Sequence, residues 1–519
     1  MIKEIELKLP AEKGLDTKYH HSLLVNKFKN LTYNSIHFEL LKRSLDARKQ
    51  RIIYVVKYRV YFDEKPDDKG FELKAAKLDS KKKVIIVGSG PAGLFAAIQL
   101  IEDGIKPIII ERGKNVKDRR KDLVDITQKH EVNPDSNYCY GEGGAGTYSD
   151  GKLYTRSKKR GSVNRILNIL VHFGANKSIL VDAHPHIGTN KLPRIIIAIR
   201  KFIIESGGEI HFNCRVTDLL IKEKQIKGVI DQNGDKYEAD NVILATGHSA
   251  SDIYELLYEK KIALEVKSFA IGVRIEHPQH LIDQIQYQCD IREDYLPPAS
   301  YSLVNRRDER GAYSFCMCPG GIIAPCATKN GEIVTNGWSP SKRNNEFANS
   351  GIVVSVHPSD FSEFEKWGPL SGLKFRESIE KKAWETAGKT QSAPAQRLVD
   401  FMHTRKSKDL PTCSYTPGII SVELRDVLPD FIIKSLKRSF KTWSRKMPKY
   451  LDKDAVLVGV ESRTSSPVRI PRDPISNQHI DISGLYPSGE GAGYAGGIIS
   501  AAIDGEKCAL SIVKEYQDN

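Results

Sequence analysis

Cysteine pairs with metal-ligand or redox spacing are absent from this chain of 519 residues. No C-x-x-C occurs, so neither a zinc site nor a thioredoxin-type dithiol is indicated. His184 and His186 would share one face of an extended segment, but two ligands without a third do not make a metal site. We therefore expect no metal, and free thiols in a reducing compartment, at cysteines 139, 214, 289, 316, 318, 326, 413 and 508.

A long uninterrupted apolar run is also missing. Residues 84–101 carry no charge and are nearly long enough for a membrane helix, but three glycines and a proline interrupt them at residues 88–93. Residues 1–6 are charged and alternate in polarity, which is unlike a signal peptide. The sequence therefore predicts a cytoplasmic protein without a membrane span.

Positive charge is present in excess and is unevenly distributed. The net charge is +14, and residues 1–83 contain 20 Lys or Arg against 12 Asp or Glu, a local net of +8. Such a basic module could bind nucleic acid, an acidic partner or an anionic substrate. Because no nucleic-acid motif accompanies the charge, a solvated basic face is the favoured interpretation and nucleic acid the less favoured partner.

The most informative segment is residues 84–93, V-I-I-V-G-S-G-P-A-G, which an apolar run at 108–110 and Glu111 follow. The pattern of strand, glycine turn, helix, strand and acid is typical of the first βαβ unit of a dinucleotide-binding fold. Gly88 permits the sharp turn, Gly90 leaves room for a pyrophosphate, and Gly93 lets the helix approach the strand. Glu111 is expected to accept hydrogen bonds from ribose hydroxyls.

A second glycine box at residues 489–496 must complete the same domain, because only 23 residues follow Gly496. Its arrangement suits a flavin: a strand delivers Gly489 and Glu490 to the ribityl and phosphate region, and the helix that follows points its positive end at the flavin edge where negative charge grows on reduction. A methyl group at Gly491 is expected to cause less disturbance than a branched side chain at Gly90.

Two further clusters of small residues are expected to lie against the cofactor. Residues 141–152 contain five glycines before Lys152, which could touch the flavin or a phosphate; a flexible surface loop is the alternative. Residues 242–247 form an apolar strand that ends on Ala245, Thr246 and Gly247.

The predicted organisation is discontinuous. A basic α+β domain with an antiparallel sheet occupies residues 1–80, and a turn or linker begins at 65–70. The nucleotide domain comprises 81–262 and 454–519, and residues 263–453 form an inserted substrate or cap domain without βαβ periodicity. Within the nucleotide domain we expect a helix at 191–205, a three-stranded meander at 209–221, 226–231 and 236–245 with a turn at Asn233-Gly234, a strand at 455–460 and a helix at about 494–515. The fold class is thus α/β: a Rossmann-like FAD-binding domain with an inserted α+β domain and a small N-terminal α+β domain.

Several phrases resemble one family of flavoproteins. They are residues 146–153 (GTYSDGKL), 272–278 (GVRIEHP), 314–321 (SFCMCPGG), 461–470 (ESRTSSPVRI) and 489–497 (GEGAGYAGG). Together they are similar to the single-dinucleotide branch of the glutathione-reductase-like superfamily, and within it to the uncharacterised FAD-dependent dehydrogenases often named NAD(FAD)-utilizing.

The resemblance covers nearly the whole chain and implies noncovalently bound FAD, but no particular substrate. In related flavoproteins the acid at Glu111 binds the adenosine ribose, and the strand residue near Val216 meets adenine through its backbone. The residues predicted to bind the cofactor are Gly88, Gly90, Pro91, Ala92, Gly93, Glu111, Arg112, Gly144, Gly146, Lys152, Val216, Ala245, Thr246, Gly247, Gly489, Glu490 and Gly496.

Four residues are candidates for the chemistry. Cys316 and Cys318 could form a thiolate adduct or relay electrons, although a C-x-C pair is geometrically poor for a disulfide and burial alone is the simpler explanation. Arg463 follows the predicted strand at 455–460 and could bind an anionic substrate or stabilise reduced flavin; a structural ion pair is the alternative. Glu461 could serve beside it as an acid or base.

The leading functional hypothesis is an FAD-dependent oxidoreductase that transfers a hydride, with a small-molecule substrate or electron acceptor. Since no second nucleotide domain is visible, NAD(P)H would bind only transiently as donor. An RNA-modifying flavoprotein that uses the basic N-terminal domain, and a flavin-based redox sensor, are the alternatives. The sequence indicates neither the substrate nor the oligomeric state.

Overall fold

The computed structural model describes residues 1–29, 35–49, 51–66, 70–155, 161–306 and 310–518. Its α-helices are α1 (Thr17–Phe28), α2 (Pro91–Glu102), α3 (Val116–Gln128), α4 (Val163–His172), α5 (Leu192–Glu205), α6 (Ser251–Glu259), α7 (Gln279–Tyr287), α8 (Ser371–Thr386), α9 (Leu398–Met402), α10 (Asp430–Ser444) and α11 (Ile498–Asp518). Its strands are β1 (Ile2–Pro10), β2 (Ile36–Asp46), β3 (Ile53–Phe62), β4 (Asp79–Val87), β5 (Ile105–Ile110), β6 (Glu209–His211), β7 (Val216–Lys222), β8 (Gln225–Asp231), β9 (Lys236–Glu238), β10 (Val242–Leu244), β11 (Glu265–Val266), β12 (Phe269–Pro278), β13 (Val304–Asn305), β14 (Ala312–Cys318), β15 (Ile322–Pro325), β16 (Thr335–Trp338), β17 (Phe347–Val356), β18 (Ala393–Arg397), β19 (Ile419–Ser421), β20 (Val456–Glu461), β21 (Val468–Arg469) and β22 (Leu485–Pro487).

The N-terminal unit is a small antiparallel sheet of order β1-β3-β2 with α1 packed on one face, as the sequence predicts. Alternate residues of β3, including Val56 and Val60, are fully buried against the apolar face of α1. Strand β2 continues past Leu40 through a register shift to Asp46. Of the predicted turn at 65–70, residues 67–69 lie outside the described ranges.

A five-stranded parallel sheet of order β22-β10-β4-β5-β6 forms the centre of the nucleotide domain. Its central strand β4 is buried on both faces, as parallel strands usually are. Val84 and Ile86 face a core shared with α2, α5 and α11, whereas Ile85 and Val87 face the meander β7-β8-β9 and α6. The α/β Rossmann-like fold class is therefore confirmed.

Two strands of the predicted meander are wrong in extent. Residues 209–221 form β6 and β7, and residues 236–245 form β9 and β10. In each case one half joins the parallel sheet and the other half joins the meander, so a single apolar run serves two sheets. The turn at Asn233-Gly234 does connect β8 with β9, with Gly234 at a φ of 87°.

The uncharged segment 84–101 is not one helix. It divides at residues 88–90 into the end of β4 and the start of α2. None of the described helices is long and apolar enough to cross a membrane.

The inserted domain is built on a seven-stranded sheet of order β13-β14-β17-β12-β20-β18-β19, antiparallel except for the pair β18 and β19. Its long central strands β12 and β17 pair over ten residues and are buried almost throughout. Helices α8 and α10 contribute residues to the same apolar core.

Strand β20 corrects the predicted organisation. The sequence analysis assigns residues 455–460 to the nucleotide domain, but β20 pairs with β12 and β18 and so lies inside the seven-stranded sheet. The inserted domain therefore continues past residue 453. The last helix is also displaced from its predicted bounds, since α11 begins at Ile498 rather than near Tyr494 and continues to Asp518.

Candidate functional site

The three glycines of the turn after β4 have different structural roles. Gly88 has a φ of 102°, and a Cβ there would lie 2.5 Å from the Ala245 carbonyl oxygen. A Cβ on Gly93 would lie 2.0 Å from the Gly88 carbonyl oxygen, so Gly93 permits the close contact of helix and strand. A Cβ on Gly90 would meet nothing within 4 Å. Space is therefore left open at the N-terminus of α2, which begins at Pro91.

The other small-residue segments converge on this helix N-terminus. A Cβ on Gly144 would be 3.2 Å from the Gly90 Cα, and one on Gly489 would be 3.0 Å from the Ala92 Cβ. Because the carboxyl ends of β4, β5, β10 and β22 meet at one edge of a parallel sheet, the residues that follow them surround a common space.

A cavity of about 380 Å³ occupies that space, within the range of about 300–1,000 Å³ typical of ligand pockets. Of the residues predicted to bind the cofactor, Gly93 does not line the cavity, and its role is the helix–strand contact. The others all line it: Gly88, Gly90, Pro91, Ala92, Glu111, Arg112, Gly144, Gly146, Lys152, Val216, Ala245, Thr246, Gly247, Gly489, Glu490 and Gly496.

Glu111 is held rigidly at the end of β5. Its buried carboxylate accepts hydrogen bonds from the Ser89 amide and hydroxyl at 2.9 and 2.7 Å, and from the amides of Gly113 and Gly141 at 2.9 and 3.0 Å. A carboxylate has about four acceptor positions. A ribose hydroxyl would therefore have to replace one of these donors or share its oxygen.

Arg112 forms the cavity wall beside Glu111. Its guanidinium pairs with Asp135 at 2.9 Å and Asp252 at 3.0 Å, and lies 4.1 Å from the centroid of the Tyr140 ring. The sequence analysis did not identify Tyr140 or Asp252, and no motif marks them. They enter the site because α6 and the loop before Gly141 pack against the end of β5.

Arg463 also lines the cavity, where the inserted domain contributes to its wall. Its guanidinium is buried and binds Glu332 at 2.7 Å, Glu380 at 2.9 Å and the Thr328 hydroxyl at 2.9 Å. Burial alone would lower the pKa of Arg463, but the two carboxylates outweigh it and raise that pKa. The geometry favours the structural ion pair over an anion-binding role.

Glu461 is the last residue of β20 and is not among the described residues that line the cavity. Both its oxygens accept hydrogen bonds from Arg274, at 2.8 and 2.9 Å, and both side chains are buried. Burial raises the pKa of Glu461, although the Arg274 guanidinium opposes that shift. An acid–base role at the cavity would require this pair to separate.

His248 and Glu490 both line the cavity and lie side by side, with His248 Nε2 3.5 Å from a Glu490 oxygen. Burial, together with the charges of Arg376 and Arg463, lowers the pKa of His248 to about 3. The imidazole is therefore neutral, and its Nδ1 has no hydrogen-bond partner on another described residue. Burial also raises the pKa of Glu490.

Lys152 and Cys316 line the cavity together, while Cys318 lies buried behind them. The Lys152 ammonium is 3.7 Å from each of the two sulfurs and donates a hydrogen bond to the Met317 carbonyl. The sequence analysis considered the lysine and the cysteines separately; their contact depends on how β14 packs on the nucleotide domain.

No group of three or more potential metal-ligating side chains occurs within the described residues. His186 instead forms a hydrogen bond with the Ser341 carbonyl at 3.2 Å, and the His184 ring packs against Tyr154.

Family models match four parts of the chain. A model described as "FAD-dependent protein, C-terminal domain-like" matches residues 268–464, which include β20. A model of an FAD binding domain matches 81–123, one of FAD dependent oxidoreductases matches 186–320, and a domain of unknown function matches 1–61.

An uncharacterised protein of Clostridium beijerinckii is 39% identical over 498 residues, and the alignment covers 92% of each chain. The chain belongs to the family of this protein. Together with the family models, the match identifies an FAD-dependent oxidoreductase-like protein with an FAD-binding domain.

Other similarities have lower sequence identity. A thiamine thiazole synthase of Methanococcus vannielii is 26% identical over 195 residues, which cover 35% of this chain and 63% of that protein. Among solved structures, the flavin-dependent brominase Bmp2 aligns with 84% of this chain and 79% of its own, at 12% identity and a TM-score of 0.36.

Proposed function

We propose that the chain is an FAD-dependent dehydrogenase or reductase that binds FAD noncovalently and acts on a small-molecule substrate or electron acceptor. The observation that carries the proposal is that both glycine boxes line the same cavity, with open space beside Gly90 at the N-terminus of α2. When bound, FAD supplies the capacity to accept or donate a hydride, and the protein supplies binding, orientation and electrostatics.

The cavity's residues fit such a dinucleotide from end to end. The unpaired N–H groups and positive dipole end of α2 suit a pyrophosphate beside Gly90. Glu111 and Val216 both line the cavity, which supports the adenosine-binding roles that the resemblance of the sequence to flavoproteins implies. Glu490 also lines the cavity. It follows Gly489, which lies beside Ala92 near the N-terminus of α2, so its carboxylate is suited to bind ribityl hydroxyls.

The remaining polar groups are suited to the reacting end of the cavity. Lys152 supplies a positive charge there, and His248 adds a neutral imidazole, since its pKa is lowered to about 3. We assign Arg463 and Glu461 to the support of the wall, since each is fully engaged with buried partners of opposite charge.

Reduction by a nicotinamide is part of the proposal. One parallel nucleotide-binding sheet occurs within the described residues, so NADH or NADPH would bind transiently at the open side of the cavity.

The test is made on the purified full-length protein. We expect a yellow protein whose flavin is released by acid precipitation and identified as FAD, and whose absorbance bleaches anaerobically with NADH or NADPH before an acceptor screen is run. Colourless protein that does not take up added FAD would overturn the proposal. Bound FAD that no nicotinamide reduces would restrict it to a different donor.

A further inference from the structure

The strand that carries Cys316 is irregular at that residue. The pairing of β14 with β17 shifts register between Phe315 and Cys318, and Cys316 has a φ of 48°. Non-glycine residues adopt this left-handed region rarely, and at functional sites more often than elsewhere. The result is a half-buried thiol on the cavity wall, whereas Cys318 is completely buried.

The ammonium of Lys152 bridges the two sulfurs. Its Nζ lies 3.7 Å from Cys316 Sγ and 3.7 Å from Cys318 Sγ, and its hydrogen bond to the Met317 carbonyl fixes it between them. Asp150 is also near, at 3.6 Å from Nζ. Lysine is thus held by three consecutive residues of one strand bulge.

The charges around the two thiols make them unequal. The side-chain interaction with Cys318, together with the charges of Lys152 and Arg274, lowers the pKa of Cys316 well below its usual value, against the opposing effect of burial. The same interaction and burial raise the pKa of Cys318, whose S–H donates a hydrogen bond to the Cys316 carbonyl oxygen at 3.3 Å. Burial would lower the pKa of Lys152, but the neighbouring sulfurs and Asp150 raise it.

We propose that Cys316 is a thiolate nucleophile of this cavity, with Lys152 as its positioning residue, and that it takes low-molecular-weight disulfides as covalent ligands. A thiolate is the nucleophilic form of cysteine, and a paired ammonium is one of the known ways to maintain it. The inference goes beyond the proposed function, because thiol–disulfide exchange requires no hydride donor.

The exchange is balanced within the site. The Cys316 thiolate attacks one sulfur of the disulfide R–S–S–R, a Cys316–S–S–R bond forms, and the R–S⁻ group leaves. Cys316 is oxidised, and the departing sulfur is reduced. Lys152 is placed to stabilise the negative charge as it passes from one sulfur to the other, and the leaving thiolate takes its proton from solvent. Because a C-x-C pair is poorly suited to close a disulfide, we expect the mixed disulfide to persist rather than be displaced by Cys318.

Cys139 provides an internal comparison. It lines the same cavity and is also half-buried, but its sulfur contacts the Cys326 carbonyl oxygen, at 3.7 Å. If access alone decided reactivity, the two cysteines would react similarly.

The experiment treats the full-length protein at pH 7 with dithiodipyridine, a small uncharged disulfide whose released thiopyridone absorbs in the near ultraviolet, and locates the mixed disulfide by peptide mass spectrometry. We expect one rapid equivalent of released thiol, with the adduct at Cys316 before Cys139. Lys152→Met should slow this phase by about tenfold, since an unassisted cysteine is only a few per cent thiolate at pH 7. Lys152→Arg should restore most of the rate, and the ultraviolet thiolate absorbance should be lost in Cys316→Ser.

The inference is overturned if Cys316 stays unmodified while Cys139 reacts, if Lys152→Met reacts at the wild-type rate, or if Lys152→Arg is as slow as Lys152→Met. Melting temperature on each sample identifies a variant that has failed to fold, and Cys316→Ser then carries the test through its absorbance alone. Flavin content separates this result from the proposed function: a colourless protein that labels at Cys316 contradicts only the latter, and a yellow protein with an inert Cys316 contradicts only this inference.

Discussion

The two sides of the cavity are built from different materials. The side formed by the parallel sheet presents mainly backbone and small residues, with Gly88 and Gly489 at close approaches and open space beside Gly90. The side where the inserted domain meets the cavity presents a buried charge, Arg463, and a thiol, Cys316, which Lys152 of the nucleotide domain contacts. Arg463 and Lys152 are each held by several partners. The first side is complementary to a ligand through space that is left empty, and the second through charge that is held in place.

This difference determines how each side responds to substitution. A residue beside empty space can change without loss of folding, and the effect falls on the ligand. A member of a buried ion-pair network cannot, because its removal leaves other charges without partners. Substitutions on the two sides should therefore separate binding from stability.

The largest effect is expected for Arg463→Ala. It leaves the buried carboxylate of Glu332 without its guanidinium and leaves Glu380 with Arg376 alone, at 3.4 Å. Removal of one partner from a buried pair costs about 3–5 kcal/mol of unfolding free energy. Denaturant unfolding of the variant should show this loss. Arg48→Ala is the control, since its ion pair with Asp46 is exposed and should contribute little. Normal stability with slow flavin reduction would instead restore the anion-binding role considered for Arg463.

Gly90→Val should remove bound flavin and leave the fold intact. The φ of Gly90 is −72° with an extended ψ, which valine adopts readily, and a Cβ meets no protein atom within 4 Å. The side chain would occupy the space proposed for the pyrophosphate. We expect colourless protein whose melting temperature equals that of wild-type protein stripped of flavin. Full flavin occupancy in this variant would show that the cofactor does not pass over Gly90.

Gly491→Ala should cost more than the sequence alone suggests. A Cβ at Gly491 would lie 2.7 Å from the Gly247 carbonyl oxygen, so the methyl group meets backbone rather than open space. Overpacking of this kind typically costs about 1–3 kcal/mol. Thermal unfolding of the flavin-free protein should show that loss, with weaker FAD binding as Gly247 is displaced. A melting temperature equal to that of the wild type would show instead that a methyl group at Gly491 is tolerated, as the sequence alone suggests.

The smallest effect is expected for Arg43→Ala, at the contact of the N-terminal unit with the rest of the chain. The Arg43–Asp182 pair is 2.7 Å long but partly exposed, and such pairs contribute about 0–1 kcal/mol. The backbone bonds of Arg43 to Val181 and Ala183 would remain. A double-mutant cycle with Asp182→Ala measures the coupling, and flavin content should not change. A coupling well above that range would mean that this contact holds the unit in place.

Local sequence patterns predicted the cavity side formed by the parallel sheet well and the side formed by the inserted domain poorly. The turn at residues 88–93 and the box at 489–496 depend on neighbours a few positions away, and both lie where the spacing indicated. The ends of single apolar runs were harder to predict: residues 209–221 and 236–245 satisfy a strand pattern throughout, yet each divides between two sheets. Strand β20 was assigned to the wrong sheet for the same reason, since the sequence of a short apolar strand does not indicate which strands it pairs with.

The sequence by itself determined the dinucleotide-binding turn, the basic N-terminal unit and the discontinuous α/β plan, because these follow from spacing, composition and the conformational freedom of glycine. Only the tertiary structure decided what the polar side chains do. Arg463 meets Glu332 and Glu380, and Lys152 meets Cys316 and Cys318, across separations of more than eighty residues along the chain. The pKa and the reactivity of a charged group or a thiol depend on its nearest partners. In this protein those partners come from distant strands and helices, which meet only when the two sheets pack around the cavity.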